Sequence, residues 1–165
     1  MVAIVIDAFD FGLSKEQREG DVPVSQLPRL MKECVDGEGN LHWQLQGGTH
    51  ESGHPRLSIQ VAGSVNLICQ RCLKPFMFEM ASESVLVLAH DERQADQIEA
   101  MLDEDDIDVI VGSKTLNMAD LIEDEALLAI PQAPKHAQCL NQIVQAEGII
   151  TTKPSPFAIL KSIKH

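Results

Sequence analysis

Between residues 40 and 89 the chain repeatedly alternates apolar and polar side chains. This two-residue period constrains the fold more than any other feature. Leu41, Trp43 and Leu45 alternate with polar neighbours over 40–46, and Leu57, Ile59 and Val61 do so over 56–62. A period of two puts every second side chain on one face of a strand. The stretch GGTHESGHP between them is a loop by composition. Gly63 punctuates, and SVNLIC at 64–69 continues as a strand or a bulged extension. FMFEM, SVLVLA at 84–89 and IDVIV at 107–111 read as further strands, and 22–34 as a short strand and a helical turn. Short strands in succession predict an antiparallel meander.

The clearest helix is NMADLIEDEALLAI, 117–130. Asn117 is its predicted cap, Asp120 stands three residues on as in a capping box, and Pro131 ends it. Met118, Leu121, Ile122, Leu128 and Ala129 make one apolar stripe, which leaves Glu123 and Asp124 facing outward. Residues 91–102 read as a polar helix and 140–155 as a loop. In the tail, Ser155 caps and Pro156 opens a short helix over 156–165, with Phe157, Leu160 and Ile163 on one face. The expected fold is α+β: one domain over 1–165, with a mostly antiparallel sheet of short strands packed by one long helix, and a short C-terminal helix.

A chain of 165 residues can bury a core without disulfides. Aromatics are only 4%, so aliphatic side chains must build that core and base-stacking platforms are few. No apolar run approaches the ~20 residues of a transmembrane helix. The start, MVAIVIDAFDFG, lacks a basic leader region and meets Asp7 early. Together with only four cysteines, these features predict a reduced, cytoplasmic setting and no membrane.

Charge is unevenly spread. Residues 79–125 hold fifteen of the 25 carboxylates against Arg93 and Lys114. Residues 52–78 carry Arg56, Arg71 and Lys74 and no acid, and 126–165 carry four lysines against Glu147. The acidic belt is either a solvated face or a surface for a basic partner, and the flanks are where phosphate could approach.

Two motifs carry potential chemistry. HESGH at 50–54 matches the zinc-protease pattern, which needs both histidines one helical turn apart. Gly47, Gly48, Gly53 and Pro55 deny it a helix, so it reads as a polar hairpin loop. Cys69 and Cys72 form a CxxC pair that leaves a strand and meets Pro75, the setting of a knuckle rather than of a redox pair at a helix start. His136 and Cys139 repeat the spacing 64 residues on. The four make a tetrahedral Zn2+ set by ligand type. The competing reading is reduced thiols in a turn, with Cys139 incidental. Cys34 reads as a lone core thiol. No nucleophile–base–orienter set and no phosphate-cradling glycine loop is visible, so an enzyme is not expected.

CQRCLKPF, DLIEDEALLAIPQAPKH with its following cysteine, and KPSPFAILKSIK occur in that order. Together they resemble the YceD-like family, the large ribosomal RNA subunit accumulation proteins of bacteria and plastids. The likeness is dense at about 65–76, 118–139 and 153–164. It implies a non-enzymatic ribosome-biogenesis factor acting on the accumulation, processing or stability of large-subunit RNA. Cys69, Gln70, Arg71 and Cys72 fall on the family's CxRC element and Cys139 on its later cysteine, whereas His136 is a candidate from spacing alone. Two partners follow. A large-subunit RNA precursor would meet Arg71 and Lys74, with Arg56 near them. A basic ribosomal protein would meet Glu123 and Asp124, or Phe157 and Leu160 of the tail.

Overall fold

The computed structural model describes residues 5–102, 107–137 and 139. In chain order come β1 (Val5–Ile6), α1 (Ala8–Ser14), β2 (Gln17–Pro23), a 3-10 turn at Val24–Gln26, α2 (Leu30–Glu33), β3 (Asn40–Thr49) and β4 (Pro55–Ile68). Then follow β5 (Pro75–Ala89), α3 (Glu92–Met101), β6 (Ile107–Val111), β7 (Leu116–Asn117) and α4 (Met118–Ala129). The predicted loop at 140–155, the tail helix at 156–165, and Phe157, Leu160 and Ile163 lie outside the described residues. Among the described residues no helix is long and apolar enough to cross a membrane.

The fold is α+β, as expected. One five-stranded sheet runs β2–β3–β4–β5–β6, and β1 pairs with β7 apart from it. The expected alternation is present, but the strands are not short: β3, β4 and β5 have 10, 14 and 15 residues. Residues 56–62 and 64–69 belong to one strand up to Ile68, because Gly63 does not interrupt it. Gly63 pairs with both Leu41 and Met80. Its missing side chain makes room for the Asn40 carbonyl of β3. FMFEM and SVLVLA likewise fuse into β5.

Neighbours from β2 to β5 are antiparallel, but β6 lies parallel to β5. A parallel neighbour needs a crossover, and α3 supplies it. Successive β5 residues point to opposite faces. Leu86 and Leu88 join the main core, whereas Val87 and Ala89 pack under Ala95 and Ile98 of α3. So α3 covers one face at the β5–β6 end, while α1, α2 and α4 cover the other. There Leu57, Ile59, Val61, Val65 and Leu67 of β4 meet Phe11, Met118 and Ile122. Each such fully buried aliphatic side chain contributes about 1.5–3 kcal/mol.

Two expectations about helices change. No single long helix dominates: α4 has 12 residues and α3 has 10, and α1, capped by the Asp7 carboxylate, is an additional helix. The outward face assigned to Glu123 is also wrong. Along α4 the buried residues are Met118, Ile122, Glu123, Glu125 and Ala126, while Leu128 is 74% exposed. Asn117 does cap α4: its side-chain oxygen accepts from the Ala119 amide at 3.1 Å.

Glu123 turns inward because the start of α2 needs it. Its Oε1 accepts from the amides of Arg29 (2.5 Å) and Leu30 (3.0 Å), and its Oε2 accepts from Arg29 Nε at 2.8 Å. Burial alone would push the Glu123 carboxyl up. The Leu30 amide, the Arg29 side chain and the Arg29 amide outweigh it and hold the group below its usual range. Asp124, which stays exposed, pairs with the outer edge of the same guanidinium. Glu125, also buried, accepts from the Ser82 hydroxyl of β5 at 2.5 Å.

Candidate metal centre

The alternation along β4 decides where the first cysteine points. Val65 and Leu67 face the helical layer, and Cys69, one step past the strand, continues that phase and is fully buried. The chain then turns tightly. Cys69 N donates to Lys74 O at 3.0 Å and Leu73 N to Cys69 O at 2.8 Å, closing the β4–β5 turn before Pro75. Leu73 adopts a left-handed backbone, φ 59°.

The second half-site arrives from α4. The segment after Ile130 is held to the turn by Gln70 N donating to Pro134 O at 2.9 Å. This bond sets His136 and Cys139 opposite the cysteine turn. Cys69 Sγ lies 3.5 Å from Cys139 Sγ, and Cys72 Sγ lies 3.7 Å from His136 Nε2. The ligand atoms of all four residues fall within 4.8 Å of one another. The His136 ring is tilted against Phe76, with centroids 5.5 Å apart.

These separations suit a tetrahedral ion. Zinc–sulfur bonds of about 2.3 Å and zinc–nitrogen bonds of about 2.0–2.1 Å place tetrahedral ligands about 3.8 Å apart for S···S and about 3.6 Å for S···N. The 3.5 Å sulfur pair is far longer than a disulfide of about 2.05 Å. This group of three cysteines and one histidine can therefore hold a metal ion, and its donor types are those that soft or borderline cations take.

Electrostatics around the sulfurs points the same way. Burial would raise the Cys69 thiol, but the amides of Cys72, Arg71 and His136 and the Cys139 thiol bring it to about 6. Cys139 is raised, by burial first and by the two neighbouring thiols, against the pull of Arg71. Arg71 Nε donates to Cys139 Sγ at 2.8 Å and its Nη2 to the His136 carbonyl at 3.4 Å. Bonding to Cys139 raises Arg71 further. Three thiolates on a divalent ion would leave one excess negative charge, and a guanidinium here would offset it. Such outer partners commonly orient metal ligands.

The other sequence candidates separate. Arg71 sits at the centre, turned toward Cys139, a role that the CxxC spacing alone did not reveal. Lys74 is exposed beside it, and Lys135, next to His136, is exposed as well. Arg56 is not near them. It stands at the opposite end of β4, about 40 Å away at strand rise, with its side chain over Gly48. Glu123 is withdrawn into the α2 junction, and only Asp124 of that pair faces solvent. HESGH forms the β3–β4 turn, where His50 N donates to the His54 carbonyl at 2.8 Å. Cys34 ends α2 half-buried, its thiol raised by burial and by Asp36 and Glu33.

One surface was not foreseen. A groove of about 560 Å³ runs between α4 and the β5–β6 edge. Leu86, Ile110, Leu116 and Leu121 line it, and Asp108, Asp120 and Asp124 stand among its polar residues. The run of acids in 79–125 was legible, but the apolar floor between them depends on the parallel placement of β6.

No solved structure matches the chain. A curated protein of Haemophilus influenzae, named "Large ribosomal RNA subunit accumulation protein YceD", is 25% identical over 153 residues, covering 88% of this chain and 86% of that protein. The family described as "Large ribosomal RNA subunit accumulation protein YceD" matches residues 57–164, a span that takes in the cysteine turn, α4 and both half-sites. The chain belongs to the YceD family of large ribosomal RNA subunit accumulation proteins.

Proposed function

We propose that this protein is a non-enzymatic factor that supports the synthesis, processing or stability of large-subunit ribosomal RNA. A zinc ion held by Cys69, Cys72, His136 and Cys139 fixes the basic turn through which it meets that RNA. The observation that carries this reading is the convergence of the four ligands beside exposed cations, Lys74 and Lys135. Zinc suits a tetrahedron of three sulfurs and one nitrogen and brings no redox chemistry of its own. It would lock the β4–β5 turn to the segment after α4, so that the cations keep fixed positions. Family membership supports the ribosomal setting, and a reducing compartment would keep the thiols available for metal.

Arg71 is a poor probe of RNA contact, because its replacement would disturb Cys139 as well. Lys74→Glu with Lys135→Glu is cleaner, since both side chains are exposed. In a strain lacking the protein, this variant should fold, retain metal and fail to restore large-subunit RNA levels. Affinity of the wild type for that RNA should fall with salt, because phosphate contacts release counterions. Full restoration by the double variant would remove the basic turn from the mechanism.

A second reading is an adaptor whose acidic surface holds a basic ribosomal protein without touching RNA. The groove beside α4 favours it, because Asp108, Asp120 and Asp124 gather around an apolar floor. Asp108→Asn with Asp120→Asn should then be the damaging change, and the lysine variant should be tolerated.

A further inference from the structure

At the tip of the cysteine turn a bulky apolar residue occupies a backbone position that suits glycine. Leu73 has φ 59°, where an L side chain crowds its own backbone and glycine does not. The turn imposes this conformation. Leu73 must send its amide to the Cys69 carbonyl at 2.8 Å while the chain reverses before Pro75. Among the described residues the other non-glycine residue with positive φ, Lys15, ends α1 with a polar, solvated side chain. Leu73 has no such excuse, and packing does not supply one: it is 73% exposed. The fold thus holds a strained residue whose side chain it does not bury. Strain at an exposed site points to use of the side chain outside the fold.

Its surroundings define that use. Arg71 is turned toward Cys139, but Lys74 follows Leu73 directly, Lys135 lies on the apposed segment, both lysines are exposed, and residues 52–78 contain no carboxylate. A basic protein surface would be repelled here, whereas phosphate would be drawn in. Unstacked RNA bases offer apolar faces that aromatic side chains most often cover beside cations holding the backbone, and an exposed leucine offers a smaller apolar surface in the same setting. We infer that Leu73 is an RNA-contacting anchor: its side chain packs against an exposed base of single-stranded large-subunit RNA while Lys74 and Lys135 hold adjacent phosphates. This deepens the RNA reading given above and rests on it.

The strain makes the test sharp, because the decisive substitution relieves it. Full-length, metal-loaded protein carrying Leu73→Gly should melt at or above the wild-type temperature. Its affinity for in vitro transcribed large-subunit RNA should fall about tenfold, and the deficit should persist at high salt, since an apolar contact is lost. Lys74→Gln should also weaken binding, but its deficit should shrink as salt rises. A glycine variant that binds RNA like the wild type, or one that melts well below it, overturns the proposal. The second result would make Leu73 a structural residue. Both variants would then be scored for large-subunit RNA levels in a strain lacking the protein. If Leu73→Gly fails there although wild-type protein shows no RNA affinity, the anchor serves a protein contact. The inference then falls while a role in RNA accumulation survives. If neither variant lowers RNA levels, the basic turn itself is not the working surface.

Discussion

Besides its packing on the sheet, the α4 region meets the rest of the molecule at two junctions built on opposite principles. At the α2 junction, Glu123 brings a buried negative charge and the chain satisfies it entirely: two backbone amides and one guanidinium close around the carboxylate. Among the described residues no buried side-chain polar atom lacks a partner. At the cysteine turn, three sulfurs and an imidazole converge within 4.8 Å, and among the described residues the one side-chain cation on a sulfur is Arg71. The first junction is complete in protein groups. The second gathers four potential metal ligands beside the Gln70–Pro134 backbone bond, and a cation among them would strengthen that tie. One end of this region is therefore closed by protein groups alone, and the other, on the reading proposed above, by a bound metal.

The largest expected effect follows from that difference. At a closed thiolate site binding energy is folding energy. Elemental analysis of gently purified protein should find close to one zinc per chain. Stripping it with a strong chelator, or substituting Cys72→Ser, should lower the melting temperature by about 10 °C or more, since each kcal/mol moves a domain of this size by roughly 2–4 °C. If metal-free protein melts like the purified form, the turn is held by its backbone bonds and the contrast disappears.

Next in size is Glu123→Ala. It leaves the buried Leu30 amide without an acceptor and frees the inner edge of Arg29. A buried donor left unpaired costs about 1–3 kcal/mol, and breaking a buried charge pair can cost more. We expect a loss of about 2–4 kcal/mol by denaturant titration. Glu123→Gln, which keeps an acceptor, should cost less. Bound zinc should stay stoichiometric in both, because this junction is independent of the sulfurs. Metal loss in Glu123→Ala would mean that the two ties are coupled through α4.

The two ties differed equally in how far the sequence exposed them. CxxC and HxxC were visible as equal spacings, but 64 residues separate them. They meet because β4 carries Cys69 to the end of the sheet where the chain leaving α4 returns, a fact of topology. Glu123 showed no such mark. A stripe drawn through Met118, Leu121 and Leu128 left it on the polar side, because helical period cannot register a partner 94 positions away. The real buried face is turned toward Ala126 and Glu125, which exposes Leu128. Alternation disclosed the strands well, since burial and pairing both act with period two. The strands are longer than the expected short ones. Residues 64–69 continue β4 as a strand up to Ile68, one of the two readings their sequence allowed, with Gly63 serving a close approach between strands, and FMFEM and SVLVLA join in β5. The parallel β6 was missed because α3 is so polar that its buried face is reduced to Ala95 and Ile98, with Leu102 packed at its end.

Acid should separate the ties by pH. The Glu123 carboxyl is held below its usual range in the folded chain. Its contribution is therefore fully present above the unfolded value of about 4.3, and it is lost as pH falls through the lower folded value. A metal bound at the thiolate site would be released as protons compete for sulfur, so its contribution would fade at higher pH. Melting temperature against pH should fall in two stages, with zinc leaving in the first. In Glu123→Gln the second stage should be smaller. A single stage shared by metal release and unfolding, unchanged in that variant, would count against the depressed carboxyl.

The smallest effect belongs to Asp124, and it separates the buried bond from the surface one within a single ion network. Asp124 and Glu123 both engage Arg29, but Asp124 keeps 55% of its side chain exposed while Glu123 keeps 4%. An exposed pair gains little over solvation and is screened by salt, with typical values of about 0–1 kcal/mol. Asp124→Asn should thus leave stability within about 0.5 kcal/mol of wild type, and added salt should erase even that difference. Arg29→Met should cost more than Asp124→Asn, because it removes the cation from the buried Glu123. Yet it should cost less than Glu123→Ala, because the Leu30 and Arg29 amides still hold the carboxylate. That order places the strength of the junction in the capped backbone of α2 and leaves the surface charge of Asp124 free for the groove it borders. If Asp124→Asn proves as costly as Glu123→Ala, the network acts as one unit, and the buried amides are not what holds α4 to α2.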